Sequence, residues 1–263
     1  MQTDLDTAHA AMEAAPEDDA ARLRFYEGLA DAELFLMLSG DPAGDEITPA
    51  LFDLEDGRFV LAFDREERLA AFAEGPVPYA ALPGRVIART LAGQGVGLGL
   101  NLGVAPSAFL MSAEALGWLA GTLDHAPGAV EARPVTYGPP SAVPDGLLRA
   151  LDGKLARLAG FAARAHLVAV TYEGGARGHL LAFEGARAGA EAALAKAVSE
   201  ALVFSGIEAG EVDVTFLAAG DPALAALTRA ALSFDLPEPV CEAAQVLAPE
   251  APGMDPARPP KLR

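Results

Sequence analysis

Hydrophobic positions along this chain recur at two spacings, which predict helices and short strands. Apolar residues at helical spacing form stripes such as Leu23, Tyr26 and Leu29, whereas shorter apolar runs have the length of strands. In the first half the pattern predicts helices over residues 4–14, 18–31, 65–72, 85–91 and 112–123. It predicts strands over residues 33–38, 50–54, 58–63, 96–102 and 109–111.

Turn and cap residues separate these elements. Asp56 and Gly57 stand between two short apolar runs, and an Asp-Gly pair in that position predicts a β-hairpin. Asp64 is predicted to cap the helix that follows it, as Asp18 or Asp19 is predicted to cap the second helix. The elements of the first half therefore alternate without the strict order of a parallel α/β sheet.

The strand predicted at residues 96–102 alternates apolar side chains with glycines and ends near Asn101. Because side chains alternate between the two faces of a strand, one face is almost bare. A bare face either receives a closely packed neighbour or leaves room for a ligand, and the sequence leaves both open.

A proline- and glycine-rich stretch divides the chain, and it predicts two domains. After it the pattern predicts a helix, two strands, a helix, a strand and a helix, over residues 145–162, 165–172, 179–183, 189–204, 212–217 and 221–231. The predicted fold class is α+β, with two small α+β domains that each hold a short mixed sheet covered by helices. The predicted boundaries are a first domain at 1–125, a linker at 126–144, a second domain at 145–236 and a proline-rich tail at 237–263.

Charge is concentrated at the start of the chain. The net charge is −18, and residues 1–57 supply −13 of it. A strongly acidic surface repels phosphate backbones and anionic lipids, so we expect neither nucleic acid nor a membrane as a partner. A protein partner with a basic surface that meets the acidic segment is the interaction that this charge favours. The oligomeric state is left open.

The sequence carries no sign of export. Its first ten residues contain two aspartates and no basic or apolar region typical of a signal peptide. No apolar stretch is long enough for a membrane span, and the single cysteine cannot form an intramolecular disulfide. We therefore expect a soluble, cytoplasmic protein.

The sequence contains none of the residue patterns that catalysis or metal binding usually requires. The histidines are scattered without ligand spacing, the glycine run 93–99 fails the register of a dinucleotide-binding loop, and neighbouring acids such as Glu66 and Glu67 point apart. Trp118 lies on a predicted helix among leucines and is expected in the core. We expect no catalytic residue, no metal site and no cofactor.

Several motifs together are similar to a known family. They are the segment Phe63–Leu69 (FDREERL), the turn Leu82–Arg85 (LPGR), and the strand Gly95–Gly103 (GVGLGLNLG), which is followed by a helix around Trp118. This pattern resembles the N-terminal domain of the SseB family, which is named for an enhanced serine-sensitivity phenotype. The second half, with the strand 165–172, is similar to the SseB C-terminal domain.

The resemblance implies a bacterial protein with two α+β domains and brings neither catalytic residues nor a cofactor. In this family a proline commonly follows the strand asparagine, whereas this chain has Leu102. The first hypothesis for function is therefore a non-catalytic interaction or regulatory protein.

Candidate binding residues stand at the turn and at the end of the glycine-rich strand. They are Leu82, Gly84, Arg85, Asn101 and Gly103. An alternative hypothesis is a small-molecule binder, for an amino acid or another metabolite, that uses the bare glycine face. An enzyme of unknown reaction is a lesser alternative, and it requires Asp64, Arg85 and Asn101 to converge in a cleft.

Overall fold

A computed structural model describes residues 2–41, 47–128, 131–141, 143–206 and 212–238. Its helices are α1 Asp4–Ala14, α2 Asp19–Asp31, α3 Glu66–Ala73, α4 Gly84–Leu91, α5 Ala113–Asp124, α6 Asp145–Leu155, α7 Glu191–Phe204 and α8 Pro222–Leu227. Its strands are β1 Glu33–Met37, β2 Leu51–Leu54, β3 Gly57–Phe63, β4 Tyr79–Pro83, β5 Gly97–Leu100, β6 Phe109–Met111, β7 Pro134–Gly138, β8 Arg164–Tyr172, β9 Arg177–Glu184, β10 Val212–Leu217 and β11 Leu232–Asp235. The predicted α+β class with two mixed sheets is confirmed.

The first sheet has six strands in the order β4-β1-β3-β5-β6, with β2 paired to β3. One face packs against α1, α2, α4 and α5, and alternate strand residues such as Leu34, Val60 and Leu98 supply its buried side chains. The opposite face carries a smaller hydrophobic cluster, and α3 covers part of it through Leu69 and Phe72. The first domain is therefore a sheet with a thick helical layer on one side.

The predicted hairpin is present. β2 and β3 pair in antiparallel register, with Leu54 opposite Gly57, and the backbone φ of Gly57 is 127°. Such a φ favours glycine, which explains why the turn signal was reliable. Strand β4 was not expected from the sequence, because its motif reads as a turn rather than a strand; it pairs along the whole of β1.

Asp64 does not cap α3, which corrects the sequence prediction. The helix begins after Arg65, which makes no side-chain cap, and the carboxylate of Asp64 instead pairs with Arg68 one turn along. The cap predicted at Asp18 is present, and Ser112 caps α5, since each side chain accepts a backbone N–H of its helix.

The second sheet has five strands in the order β10-β9-β8-β11, with β7 paired to β8. Helices α6 and α7 cover one face, and α8 packs near the other through Leu227. Strand β7 lies inside the segment predicted as a linker. Its proline stands at the first strand position, where a missing N–H is tolerated, and Val135, Thr136 and Tyr137 favour an extended backbone.

The two domains share a buried contact. Phe204 at the end of α7 is fully buried and belongs to the hydrophobic core of the first domain. Lys196 of the same helix donates to the carbonyl oxygen of Leu123 at the end of α5. Within the described residues, no helix combines the length and the apolar character that crossing a membrane requires.

Candidate functional site

Asn101 is a buried structural residue at the end of β5. Its backbone φ is 50°, a left-handed conformation that asparagine tolerates better than most residues. Its Oδ1 accepts the N–H of Asp64 at 3.1 Å, and its Nδ2 donates to Ser107 Oγ at 2.9 Å. The side chain therefore ties the end of β3 to the loop that precedes β6.

The contacts of Asn101 continue into an ion-pair network at the start of the chain. Ser107 donates to Asp6 at 2.5 Å, and Arg68 bridges Asp6 and Asp64 at 2.5 and 2.8 Å. Burial alone would raise the pKa of Asp6, but hydrogen bonds from Arg68 and Ser107 outweigh it and hold this pKa far below its usual value. Every polar group of the network has a partner, so these groups hold α1, β3 and the loop before β6 together.

The remaining candidates near the turn and strand end have different surroundings. A Cβ added to Gly84 would lie 1.9 Å from the carbonyl oxygen of Leu29, so only glycine fits where α4 crosses α2. Leu82 packs on the core of the first domain. Gly103 is exposed with a φ of 71° and open space around it. These residues do not form one surface.

Arg85 lies at the contact between the domains. Its guanidinium binds Asp31 of α2 and Glu200 of α7, the latter at 3.2 Å through two nitrogens. Asp64 and Asn101 meet, whereas Arg85 belongs to this different cluster. The convergence of Asp64, Arg85 and Asn101 that the enzyme hypothesis required is therefore not found.

Lys154 is the centre of this interdomain cluster. It comes from α6, is 92% buried by side-chain area, and lies 3.2 Å from Glu27, 2.9 Å from Asp31 and 2.9 Å from Glu200. Burial alone would lower the pKa of Lys154, but the three carboxylates outweigh it and raise that pKa. Arg157 adds a further contact to Asp31.

The carboxylates respond differently to this environment. Burial raises the pKa of Glu27, because its nearby cations compensate only in part. For Asp31 and Glu200 the ion pairs outweigh burial, and both pKa values are lowered. Three carboxylates and three cations form the cluster, so its net charge is close to zero.

A cleft of about 480 Å³ opens beside this cluster, between α1 and α2 on one side and α6 on the other. Small residues such as Gly28 and Ala150 line its walls, and Arg24 and Arg149 stand among its lining. The buried Oε1 of Glu27 receives no hydrogen bond within the described residues, although Lys154 is 3.2 Å away.

The bare face of the glycine-rich strand is filled by other side chains. A Cβ on Gly97 would lie 2.5 Å from the ring of Phe59, and one on Gly99 would lie 2.6 Å from Leu61. Leu102, which stands where the family commonly has proline, also packs over Gly99. The glycines serve close packing, and the room that the small-molecule hypothesis placed there is occupied.

Much of the acidic charge of the leading segment is exposed. Eight exposed acids of its described part form no ion pair with another described residue: Asp4, Glu13, Glu17, Glu33, Asp41, Asp53, Glu55 and Asp56. Three further acids, Asp6, Glu27 and Asp31, are bound in the two ion-pair networks. Some acids of this segment therefore form ion pairs inside the fold, whereas others are exposed on its surface.

Three of those exposed acids, Asp53, Glu55 and Asp56, lie on the β2–β3 hairpin. The same hairpin exposes Leu51 at 55% and Leu54 at 40% of their areas. Arg58, a basic residue of the same hairpin, stands opposite Asp53 in the strand register. An acidic hairpin with exposed leucines is the clearest surface of mixed character in the first domain.

Trp118 is not a core residue, which corrects the sequence prediction. It is 45% exposed and meets Phe204 edge-on, with ring centroids 6.4 Å apart. Helical spacing placed it near the leucines but could not show that α7 of the second domain ends beside it. Trp118 therefore marks the edge of the domain contact.

A serine, a histidine and a glutamate lie side by side on three neighbouring strands of the second sheet. His166 Nδ1 is 2.8 Å from Ser233 Oγ, and its Nε2 is 3.1 Å from Glu184 Oε2. His166 is buried, and none of these three residues lines the cleft beside Lys154. Among the described residues, no three histidine, cysteine or carboxylate side chains are placed so that they could hold a metal ion, and Cys241 lies outside these residues.

The family comparison bears on the first domain, whose contacts have just been described. Residues 8–118 match the SseB protein N-terminal domain. The match confirms the resemblance for this part of the chain. The likeness of residues 145–236 to an SseB C-terminal domain stays a prediction.

The search of curated proteins and the search of solved structures each found no match. The SseB N-terminal match covers α2, the hairpin, α4 and the glycine-rich strand. It stops before α7, so Phe204 and Glu200 of the domain contact lie outside it.

Sequence reasoning found Arg85 but missed Glu200, which binds it, and Lys154, which binds the same carboxylates. Lys154 and Glu200 lie far from Arg85 in sequence, and each alone reads as an ordinary charged residue of a helix. A usable signal existed in α6, where a lysine occurs at the apolar spacing of Leu147, Leu151 and Leu155. A charge in such a stripe indicates a buried partner.

Proposed function

We propose that this chain is a non-catalytic interaction or regulatory protein of the SseB family, acting in the cytoplasm. The SseB N-terminal match over residues 8–118 supports the family. The polar clusters of the first domain support a non-catalytic role, because their groups are used in holding helices and strands together.

One observation carries the binding part of the proposal. The leading segment keeps eight exposed acids without ion pairs in the described structure, whereas Asp6, Glu27 and Asp31 are bound in the two ion-pair networks. Unpaired like charges on one segment cost stability through mutual repulsion and attract an opposite charge. The partner is therefore a protein with a basic surface, and binding weakens as salt screens the attraction.

Affinity capture at two salt concentrations tests this function. The full chain at about 10 μM should enrich a basic protein at about 50 mM salt and lose most of it at about 300 mM. The enriched protein is then purified, and its affinity for the full chain is measured across the same range. Failure to enrich any protein reproducibly, or an affinity indifferent to salt, contradicts the proposal.

The cleft beside Lys154 favours a second candidate function, the binding of a small molecule. Glu27 offers a largely buried carboxylate, paired with Lys154 at 3.2 Å, and Arg149 offers a cation at the same cleft. An amino acid or another metabolite with an amine and an acid group fits these two charges.

A thermal-shift series with amino acids and nucleotides tests the cleft. A true ligand raises the melting temperature increasingly with its concentration, since it binds the folded state alone. The Glu27→Gln variant should lose this response, whereas Glu13→Gln, which changes an exposed acid outside the cleft, should retain it. A flat response across the series rejects the candidate.

A further inference from the structure

Strand β10 forms one edge of the second sheet, and its outer side has no partner among the described residues. It pairs with β9 alone, in parallel register. The other backbone hydrogen bond that joins β10 to the described structure lies at its end, where the carbonyl oxygen of Leu217 accepts the N–H of Gly185. Alternate residues of an edge strand direct their N–H and C=O groups away from the sheet, so β10 offers these groups to a further strand.

Five consecutive residues of β10, 212–216, line a groove of about 660 Å³. One face of α7 lines the same groove through residues at helical spacing, namely Ala192, Ala195, Ser199 and Leu202. Three of these four side chains are small, which leaves room between the helix and the edge of the sheet. A strand added beside β10 therefore lies against α7, in a groove whose volume is typical of binding sites.

The two faces of β10 differ in chemistry. The face that packs toward α6 and α7 is apolar and consists of Val212, Val214 and Phe216. The other face carries Asp213, Thr215 and Leu217, and Asp213 accepts a hydrogen bond from the hydroxyl of Tyr172 at 2.5 Å. Directly opposed residues of paired strands share a face, so an added strand meets apolar residues at alternate positions and the carboxylate of Asp213 between them.

The charged residues of the groove are acidic. Glu191 and Asp213 line it, whereas none of its described lining residues is a lysine, an arginine or a histidine. The hydroxyl of Tyr172 uses one acceptor position of Asp213, and a carboxylate has several. Charge complementarity therefore favours a cation on the added strand where it passes Asp213.

We propose that the groove between β10 and α7 binds an extended segment of another protein by strand addition, with apolar side chains toward α7 at alternate positions and a lysine or arginine beside Asp213. Backbone hydrogen bonds to β10 supply binding strength, and the alternation of side chains supplies selectivity. The groove lies in the second domain, and its binding does not require the acidic leading segment. Its test is therefore separate from that of the proposed function.

The test uses a synthetic peptide of about eight residues, a usual strand length, in which valine alternates with lysine. The alternation is the same in both directions, so the peptide can add parallel or antiparallel to β10. A control peptide of equal composition groups the valines and the lysines in two separate blocks. Binding to the full chain is measured by fluorescence anisotropy at about 150 mM salt, which weakens long-range attraction to the acidic surface.

Two further peptides examine the backbone contact. They keep the alternating sequence and carry N-methyl groups either on the valine amides or on the lysine amides, which removes those N–H donors. One of the two sets faces β10 in an added strand. We expect one methylated peptide to lose binding and the other to retain it.

Two pairs of variants locate the site. Ala195→Leu places a larger side chain in the groove and should weaken peptide binding at least about tenfold, whereas Ala193→Leu, exposed on the same helix and outside the groove, should change it less than about twofold. Asp213→Asn should weaken binding about threefold, the effect of one partly exposed ion pair. Its charge-matched control is Asp152→Asn, an exposed acid of α6 outside the groove, which should bind as the parent chain does.

Amide hydrogen exchange completes the test. Exchange of β10 should slow when the alternating peptide binds. Absence of binding, equal binding of the block peptide or of both methylated peptides, or equal effects of Ala195→Leu and Ala193→Leu overturns strand addition in this groove. Exchange of β10 that is as slow without peptide as with it also overturns the proposal, since a second copy or another segment of this chain then covers the edge. None of these results bears on the acidic leading segment of the first domain.

Discussion

Replacing Lys154 with methionine tests how strongly the ion-pair cluster joins the two domains. One charge pair at about 3 Å contributes roughly 5 kcal/mol of gross attraction at an effective dielectric constant near 20. Repulsion among the three carboxylates and the cost of burying the ammonium cancel most of that attraction. Arg85 and Arg157 remain bound to Asp31, and Glu27 can take up a proton because burial already raises its pKa. We therefore expect a loss of about 3 kcal/mol, at the low end for a broken buried ion pair.

Urea denaturation followed by the fluorescence of Trp118 measures this loss. Trp118 is the single tryptophan and touches Phe204 across the domain contact, so its signal reports that contact. The midpoint should fall by about 1 M urea. Arg149→Met is the control, since Arg149 is an exposed cation of the same helix without an ion pair in the described structure, and it should change stability by less than about 0.5 kcal/mol. Equal midpoints for the two variants would refute the reasoning.

Three further changes probe the packing and the buried networks. Asp6 has a lowered pKa in the folded state, so its contribution to the free energy of unfolding is present above about pH 4 and is lost as pH falls. The Asp6→Asn variant should therefore lose less stability than the parent chain between about pH 5 and 3, as measured by urea denaturation. An unchanged decline would contradict this. Gly84→Ala should destabilise by about 3 kcal/mol in thermal melting because of the clash with α2, whereas Gly121→Ala, exposed on α5, should be neutral or stabilise slightly; similar melting would show that the close approach does not matter. Asn101→Ala should cost about 1 kcal/mol more than Asn101→Gly, since only glycine relieves the positive φ, and equal melting temperatures would exclude backbone strain.

Local patterns predicted the elements well where the physical signal was local. The turn before Gly57, the cap at Asp18 and the glycine-rich strand each depend on residues close in sequence. Strands β7 and β11 were missed because each is short and is stabilised by pairing with β8, far along the chain. Their formation is a tertiary effect that composition does not record.

The candidate site was harder to predict, because its residues act through distant partners. The sequence predicts Asn101 as a binding residue at a strand end, yet the side chain is buried and makes two hydrogen bonds. A turn motif predicts Arg85 as a binding residue, but its contact with Glu200, 115 positions away, cannot be predicted from that motif. Sequence reasoning thus located residues that matter without showing to what they bind.

The position of Phe204 has a consequence for synthesis of the chain on the ribosome. The first domain has all its strands once residue 125 has been made, but its core includes a phenylalanine that follows about 80 residues later. At ordinary rates of translation this delay is roughly 4–16 s. During that interval the nascent first domain presents an apolar gap beside Trp118, which the arrival of α7 closes.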